Sequence, residues 1–282
     1  MDVSREVMVA MDIEEYAPAK FTWSLRVLGT RPDGYHEILA LATMISDPGD
    51  RLVLRAHDTI TLRVSGSTHD VPADATNLAW RAAEAADVTV AMELTKRIPA
   101  GGGLGGGSSD AAAVLRALRR DFGLAPHRAR AIAAELGSDV AACLEGGTAW
   151  LRGRGELVEP VEPPAPTPVV VAVPPIHSST AAVYRAWDEL GGPRGERVVE
   201  APPALRGLAT ELVNDLEPAA EHVEPRLATF RRDLAPLIGR EPLLAGSGAA
   251  YVAWCVDVDE ARALGTRVEG QLGVATFVGI AG

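Results

Sequence analysis

Ile98-Pro-Ala-Gly-Gly-Gly-Leu-Gly-Gly-Gly-Ser-Ser-Asp-Ala-Ala-Ala-Val-Leu-Arg-Ala-Leu-Arg-Arg120 sets the terms for the whole chain. Six glycines fill the seven positions from Gly101 to Gly107, interrupted only by Leu104. Each glycine costs a helix about 1 kcal/mol against alanine, so the run itself is neither ordinary helix nor strand. Its physical use is close approach: without Cβ atoms, successive backbone N–H groups can turn towards one anion. Ser108, Ser109 and Asp110 follow, and all three are good helix-starting residues. Ala111, Val114, Leu115, Leu118 and Phe122 then recur at helical spacing and give the next segment one apolar face. Arg119 and Arg120 fall near its end, where positive charge suits the helix dipole. A glycine loop that feeds a helix N-terminus is a recipe for holding phosphate.

A flexible linker is the bland alternative, but linkers are not followed at once by a capped amphipathic helix. A P-loop needs Gly-Lys-Ser/Thr, and no lysine lies between Gly101 and Arg120. Gly101, Gly103 and Gly106 satisfy G-x-G-x-x-G only because so glycine-rich a run satisfies many patterns. The acidic residue expected at the end of a second strand is missing from an Ala/Arg-rich helix.

The 282 residues suffice for one large or two modest domains. A formal net charge of −11 argues against a nucleic-acid partner, which usually meets a basic face. No apolar run reaches bilayer length, and Met1-Asp-Val-Ser-Arg-Glu6 lacks a signal peptide's pattern. Cys143 and Cys255 lie in apolar stretches and read as buried free thiols. A cytoplasmic protein without membrane contact, monomeric or homodimeric, is expected. Arginine supplies nearly all positive charge; the only lysines are Lys20 and Lys96, which suggests positions needing a compact ammonium.

In chain order, residues 17–29 read as a strand, and Pro32-Asp33-Gly34 as a turn that delivers Tyr35 and His36. Residues 51–56 and 59–65 look like a strand pair around His57-Asp58, and a helix starts at Ala75-Thr-Asn-Leu78. A strand over 88–94 leads into the glycine loop. Helices are expected over 126–136 and from Ser138 or Asp139, and a strand over 148–152. Five prolines between Glu159 and Pro168 suggest a stiff crossing between two domains, 1–160 and 161–282. The second half reads as a buried strand over 169–173, a helix over 180–190 and a loop over 191–203. Helices near 212–221, 226–238 and 260–272, a glycine turn at Ala245-Gly-Ser-Gly-Ala249 and a last strand over 274–278 complete it. Alternation of strands and helices points to an α/β or α+β layer arrangement.

Three stretches stand out together: Ala17-Pro-Ala-Lys20 with Gly29-Thr-Arg-Pro-Asp-Gly-Tyr-His-Glu37, the loop from Arg97 to Ala112, and Ala245-Gly-Ser-Gly-Ala249. In this order and spacing they resemble the three motifs of the GHMP kinases. The first two of these stretches resemble one branch in particular, as do Leu136-Gly-Ser-Asp-Val140 and Val213-Asn-Asp-Leu216, and the small-molecule substrate of that branch is a cytidine diphosphate-linked methylerythritol of the non-mevalonate isoprenoid route. The likeness runs over nearly the whole chain. It implies an α+β fold of two domains, the first like ribosomal protein S5 domain 2, with ATP and acceptor meeting between them.

The resemblance also implies roles. Pro99 and the run Gly101, Gly102, Gly103, Leu104, Gly105, Gly106, Gly107, Ser108 and Ser109 would hold ATP. Mg²⁺ would be bridged by the phosphates, with a hydroxyl such as Ser108 or Ser109 assisting, and no all-protein metal site is expected. Asp139 matches the catalytic aspartate, although by residue type alone it is a good helix cap. Lys20 matches the lysine beside it. Tyr35 and Tyr184 match aromatic rings that enclose the cytosine, His36 the histidine that hydrogen-bonds it, and Thr180 a neighbour of ribose or base. Gly246, Ser247 and Gly248 match the third motif, beside the loop and acceptor. One departure is plain: Thr22 stands where the family usually has asparagine, within an unusual Phe21-Thr-Trp-Ser24 strand. That leaves room for a different small alcohol as acceptor, or for a non-catalytic nucleotide-binding relative.

Overall fold

A computed structural model describes residues 12–66, 71–162, 165–209 and 211–282. The N-terminal segment Met1–Glu6 lies outside these residues, and every site residue named above lies within them. Strands run in the order β1 (Ile13–Thr30), β2 (His36–Ala56), β3 (Thr61–Gly66), β4 (Val90–Lys96), β5 (Thr148–Arg152) and β6 (Leu157–Pro160). They continue as β7 (Thr167–Val173), β8 (Val199–Glu200), β9 (Glu211–Leu212), β10 (Leu243–Leu244), β11 (Tyr251–Trp254) and β12 (Ala275–Ala281). The helices are α1 (Leu78–Ala86), α2 (Gly106–Asp121), α3 (Pro126–Leu136), α4 (Ser138–Glu145), α5 (Thr180–Glu189), α6 (Glu217–Val223), α7 (Arg226–Ile238) and α8 (Val258–Leu272). By packing, the chain forms two compact units. One comprises the described residues of Met1–Ala19, Gly49–Ala100 and Gly105–Glu145; the other comprises Lys20–Pro48, Gly101–Leu104 and those of Gly146–Gly282.

In the first unit, the second half of β2 pairs antiparallel with β4, and β4 pairs parallel with β3. A parallel pair needs a crossover rather than a hairpin, and α1 supplies it between β3 and β4. The expected strand pair around His57-Asp58 therefore does not form: β4 lies between its two members. Helices α1, α2, α3 and α4 pack on one another. The buried faces of α1 and α2 are largely alanine (Ala79, Ala82, Ala83; Ala111, Ala112, Ala113), which allows helix axes to approach closely. Asn77 caps α1, its side chain accepting from Ala79 N at 2.9 Å.

In the second unit, β7 is the central strand, with β11 antiparallel on one side and β12 antiparallel on the other. Val169, Val170, Val171 and Ala172 are all nearly inaccessible, because α8 covers β7. A strand buried on both faces reads as a continuous apolar run, as this one does. The first half of β2 joins β12 at Ile45 and pairs with β5 over Ala40–Thr43. The described residues of the proline stretch lie inside this unit: β6 runs to Pro160 and β7 begins at Thr167. Residues 212–221 are not one helix. Leu212 ends a strand, Asn214 bridges to Leu25 on β1, Asp215 and Leu216 turn, and α6 starts at Glu217.

Candidate active site

The glycine loop enters α2 as anticipated, but the helix starts earlier than its serines. Gly105 occupies the N-cap position at φ +67°, and no side chain caps it. The reason is that Ser109 and Asp110 are committed elsewhere. Ser109 is buried and donates its hydroxyl to Pro18 O at 2.7 Å. The first N–H groups of a helix have no intrahelical partner, so a start without a side-chain cap suits an anion. Gly103, at φ +73°, has its Cα backed against the carbonyls of Ala245 and Gly248, where a Cβ would not fit. Gly107, by contrast, faces open space: an added Cβ would meet only Leu78 Cδ1, at 3.7 Å. Of the two hydroxyls that could assist a metal, Ser108 is the half-exposed one.

Beneath the start of α2 lies a charge cluster that sequence reasoning missed. Lys96 Nζ donates to Asp110 Oδ2 at 2.5 Å and also to Asp50. Asp50 Oδ1 accepts from the backbone of Arg97 (2.5 Å) and Ile98 (2.8 Å), tying the end of β4 to β2. All three side chains are nearly inaccessible. With one cation for two carboxyls, burial pushes Asp110 up to about 7 against the pull of the Lys96 charge. Burial acts to lower Lys96, but the Asp110 and Asp50 charges outweigh it and hold it above its usual value. Asp110 Oδ1 is buried without a hydrogen-bond partner among the described residues. The scarcity of lysine was the one available signal.

Gly101–Leu104 pack with the second unit. Ala249 N donates to Gly101 O (3.1 Å) and Ala250 N to Gly102 O (3.0 Å), so the loop and the third glycine turn are brought together. Thr180 Oγ1 and Ser247 Oγ are 2.8 Å apart, and Ser178 Oγ donates to Ser247 O at 2.7 Å. Gly246 lies in the same turn. Lys20 is buried on β1, its backbone N–H donating to Leu104 O at 2.8 Å and its Nζ directed to Thr22 Oγ1 at 3.4 Å. Asp139 lies half-buried in the first turn of α4, within the first unit. Pro99 precedes the loop, also half-buried.

His36 opens β2 and is buried against α5: its ring centroid lies 4.7 Å from Tyr184 and 5.4 Å, edge-on, from Trp187. Its Nε2 is 2.9 Å from Asp188 Oδ1, which also accepts from Thr30 Oγ1 at 2.8 Å. Burial acts to raise Asp188, but the bonds from His36 and Thr30 prevail and lower it. Tyr184, Trp187 and Asp188 stand three and four apart, so one helix face carries all three, a spacing legible in the sequence. Tyr35 is exposed, with the Arg154 guanidinium 4.9 Å from its ring centroid. The second unit thus holds an aromatic platform beside a histidine with one nitrogen already engaged, suited to a flat polar ring.

The family model for the GHMP kinases N terminal domain matches residues 76–147. A 4-diphosphocytidyl-2-C-methyl-D-erythritol kinase from Bacillus pumilus is 40% identical over 250 residues, covering 84% of this chain and 86% of its own. One from Pelotomaculum thermopropionicum is 39% identical over 272 residues, covering 91% and 94%. A crystal structure of 4-(cytidine 5'-diphospho)-2C-methyl-D-erythritol kinase superposes with a TM-score of 0.77 at 35% identity, covering 96% of this chain and 99% of that one. Mevalonate kinase from L. major, in complex with R-mevalonate, shares the fold at a TM-score of 0.67 and 15% identity, over 95% of each chain. Motif order, an uncapped glycine-fed helix and kinship along most of its length agree: this chain belongs to the 4-diphosphocytidyl-2-C-methyl-D-erythritol kinase family of the GHMP kinases.

Proposed function

We propose that this protein transfers the γ-phosphoryl group of ATP to the 2-hydroxyl of 4-diphosphocytidyl-2-C-methyl-D-erythritol, in the non-mevalonate route to isoprenoids. The observation that carries the reading is the open start of α2 at Gly105–Ser108, in a chain of that kinship. Phosphoryl transfer needs positioning and charge neutralisation more than covalent chemistry. The backbone of Gly101–Ser109, with Pro99 before it, holds the triphosphate. Asp139 accepts the acceptor hydroxyl's proton as its oxygen bonds to the γ-phosphorus, and ADP leaves. Lys20 offsets the negative charge that develops.

Among the described residues no cluster of three or more His, Cys, Asp or Glu could hold a metal. The donors near the loop fit a hard cation that keeps phosphate and water ligands, with the Ser108 hydroxyl assisting. Bound Mg²⁺ supplies charge neutralisation on the phosphates. Tyr35, His36 and Tyr184 take the cytosine, Thr180 lies near the ribose, and Gly246, Ser247 and Gly248 face the acceptor. In sequence order the proposed modules are residues 1–160, which contain the domain match at 76–147, and residues 161–282, a division that differs from the two compact units of the fold. No helix among the described residues is long and apolar enough to cross a membrane, and a cytoplasmic location is part of the proposed reading.

Thr22 supports a second reading, in which the acceptor is a different small alcohol. It is buried, 3.4 Å from Lys20 Nζ, where the family usually carries asparagine. ADP release measured with the cytidyl substrate and with other small alcohols separates the two. Turnover with the cytidyl substrate is expected; turnover only with another alcohol would replace it. Nucleotide binding without transfer to any acceptor would mark a non-catalytic relative.

A further inference from the structure

Val213-Asn-Asp-Leu216 lies between β9 and α6 and is docked on β1. Leu25 N donates to Val213 O (2.8 Å) and Asp215 N to Leu25 O (2.9 Å). Asp215 is consumed locally: its carboxylate accepts from Val27 N, Gly195 N and Arg26 Nη1 at 2.9–3.0 Å. The side chain of Asn214 is directed elsewhere. Its Nδ2 donates to Leu244 O (3.0 Å) and Gly246 O (2.7 Å), while its Oδ1 accepts from Leu216 N (2.9 Å). A reversed amide would set oxygen against two carbonyls and nitrogen against an N–H, so the partners fix its orientation. The residue is 6% exposed, and no bulk water competes for these bonds.

The two carbonyls it holds flank Ala245, which begins the third glycine turn. Gly248 N donates back to Ala245 O at 2.8 Å, closing the turn. The outgoing arm then donates from Ala249 and Ala250 to the carbonyls of Gly101 and Gly102. One buried amide therefore ties a segment anchored on β1 to the turn, and the turn to the phosphate-side glycines.

We propose that Asn214 is a positioning residue for phosphoryl transfer: through Leu244 and Gly246 it sets the place of the Gly246–Gly248 turn and, through that turn, of Gly101–Gly103. It acts through backbone and touches neither ATP nor acceptor. The inference rests on the reading that the glycine run holds ATP phosphates and the turn faces the acceptor. Aspartate at this position has nearly the same shape but turns two donated bonds into oxygen–oxygen contacts, so the turn must shift.

The test compares wild type with Asn214→Asp by steady-state kinetics and peptide-level hydrogen exchange. Turnover is counted per molecule able to bind a non-hydrolysable ATP analogue. Expected is a kcat loss on the order of 100-fold, as for a catalytic group displaced by about 1 Å. The acceptor KM should stay within about twofold, because the cytosine end is held by other residues. Exchange should quicken in peptides covering 245–250 and 101–104, with β7 and β12 keeping their protection. Unchanged turnover and exchange would overturn the proposal. So would faster exchange spread equally over β7 and β12, which marks general destabilisation. If the aspartate variant does not fold, Asn214→Ser, which keeps one donor, carries the same measurements. If wild type transfers nothing to the cytidyl alcohol, the functional reading fails, and the exchange comparison alone decides on Asn214.

Discussion

Lys96 Nζ stands 2.5 Å from Asp110 Oδ2, and neither side chain is more than 3% exposed. The same ammonium also binds Asp50, so one cation serves the end of β4, the β2 strand and the first turns of α2. Replacing it by methionine fills the space but leaves two buried carboxyls facing each other. Breaking a buried pair in this way costs about 3–5 kcal/mol. Lys96→Met should therefore lower the urea midpoint sharply, and a midpoint equal to wild type would show that the cluster contributes nothing to stability.

The cluster also makes stability depend on pH. Asp110 ionises at about 7 in the folded protein, against about 4 in an unfolded chain. Between those values the folded state holds the extra proton, so this group's contribution to stability falls as pH climbs through that window and stays at its lower level above it. Asp110→Asn removes the titration. The melting temperature of the variant, minus that of wild type, should rise from pH 5 to pH 8 by about 2–4 °C per kcal/mol relieved. A difference that is flat or falls with pH would contradict the ionisation assigned to Asp110.

How much of this was legible in the sequence follows from what each feature depends on. The face of α2 repeats every three to four residues, so Ala111, Val114, Leu115 and Leu118 could be placed from spacing alone. The first half of β2 could not. The strand continues through Pro48-Gly49, with β5 and β12 as partners before that point and β4 after it. The motif order located the glycine loop, the third turn and His36. It could not show that Ser109 and Asp110, apparent helix caps, turn away to Pro18 and Lys96. Nor could it show Asn214 reaching Leu244 and Gly246: partners about thirty residues apart become neighbours only through packing.

Two alanine substitutions in the loop separate structure from ligand. Gly103→Ala places a Cβ against the Ala245 and Gly248 carbonyls at a positive φ, so it should displace the loop and lower both stability and ATP affinity. Gly107→Ala meets only Leu78 and sits in a helix, where alanine is favoured over glycine by about 1 kcal/mol. Its stability should be equal or higher while its KM for ATP rises, because the added methyl intrudes on the open side of the loop. Calorimetry and ATP titration of both variants check this, and an unchanged KM in Gly107→Ala would place the triphosphate elsewhere.

Asp188 should matter to the acceptor and not to ATP. Its carboxylate holds His36 Nε2 at 2.9 Å, so in the proposed site Nδ1 is the ring nitrogen that would meet the ligand. Asp188→Asn keeps the size but can present an amide N–H to that ring, which permits the other tautomer and weakens the ring's orientation. A charge-assisted hydrogen bond of this kind is worth about 1.5–3 kcal/mol. The acceptor KM should rise roughly tenfold or more, with the KM for ATP unchanged. Equal changes in both values would remove His36 from the cytosine site.

Asp139 separates an enzyme from a nucleotide-binding relative. It lies inside the first turn of α4, where asparagine keeps the shape and forgoes a helix-dipole interaction of about 0.3–1 kcal/mol. Asp139→Asn should accordingly fold with a melting temperature near wild type. What it loses is a carboxylate able to take the proton of the attacking hydroxyl, a role worth about 10²–10⁴-fold in rate. Expected is a kcat reduced by that factor, with affinity for a non-hydrolysable ATP analogue retained, since the phosphate contacts proposed here come from backbone of the glycine loop. Measured phosphoryl transfer to the cytidyl substrate that is the same in both proteins would sink the role given to Asp139. Binding without transfer in both would mean that neither protein is a kinase. A loss of nucleotide affinity as large as the loss of turnover would place Asp139 at the ATP rather than at the hydroxyl it is proposed to deprotonate.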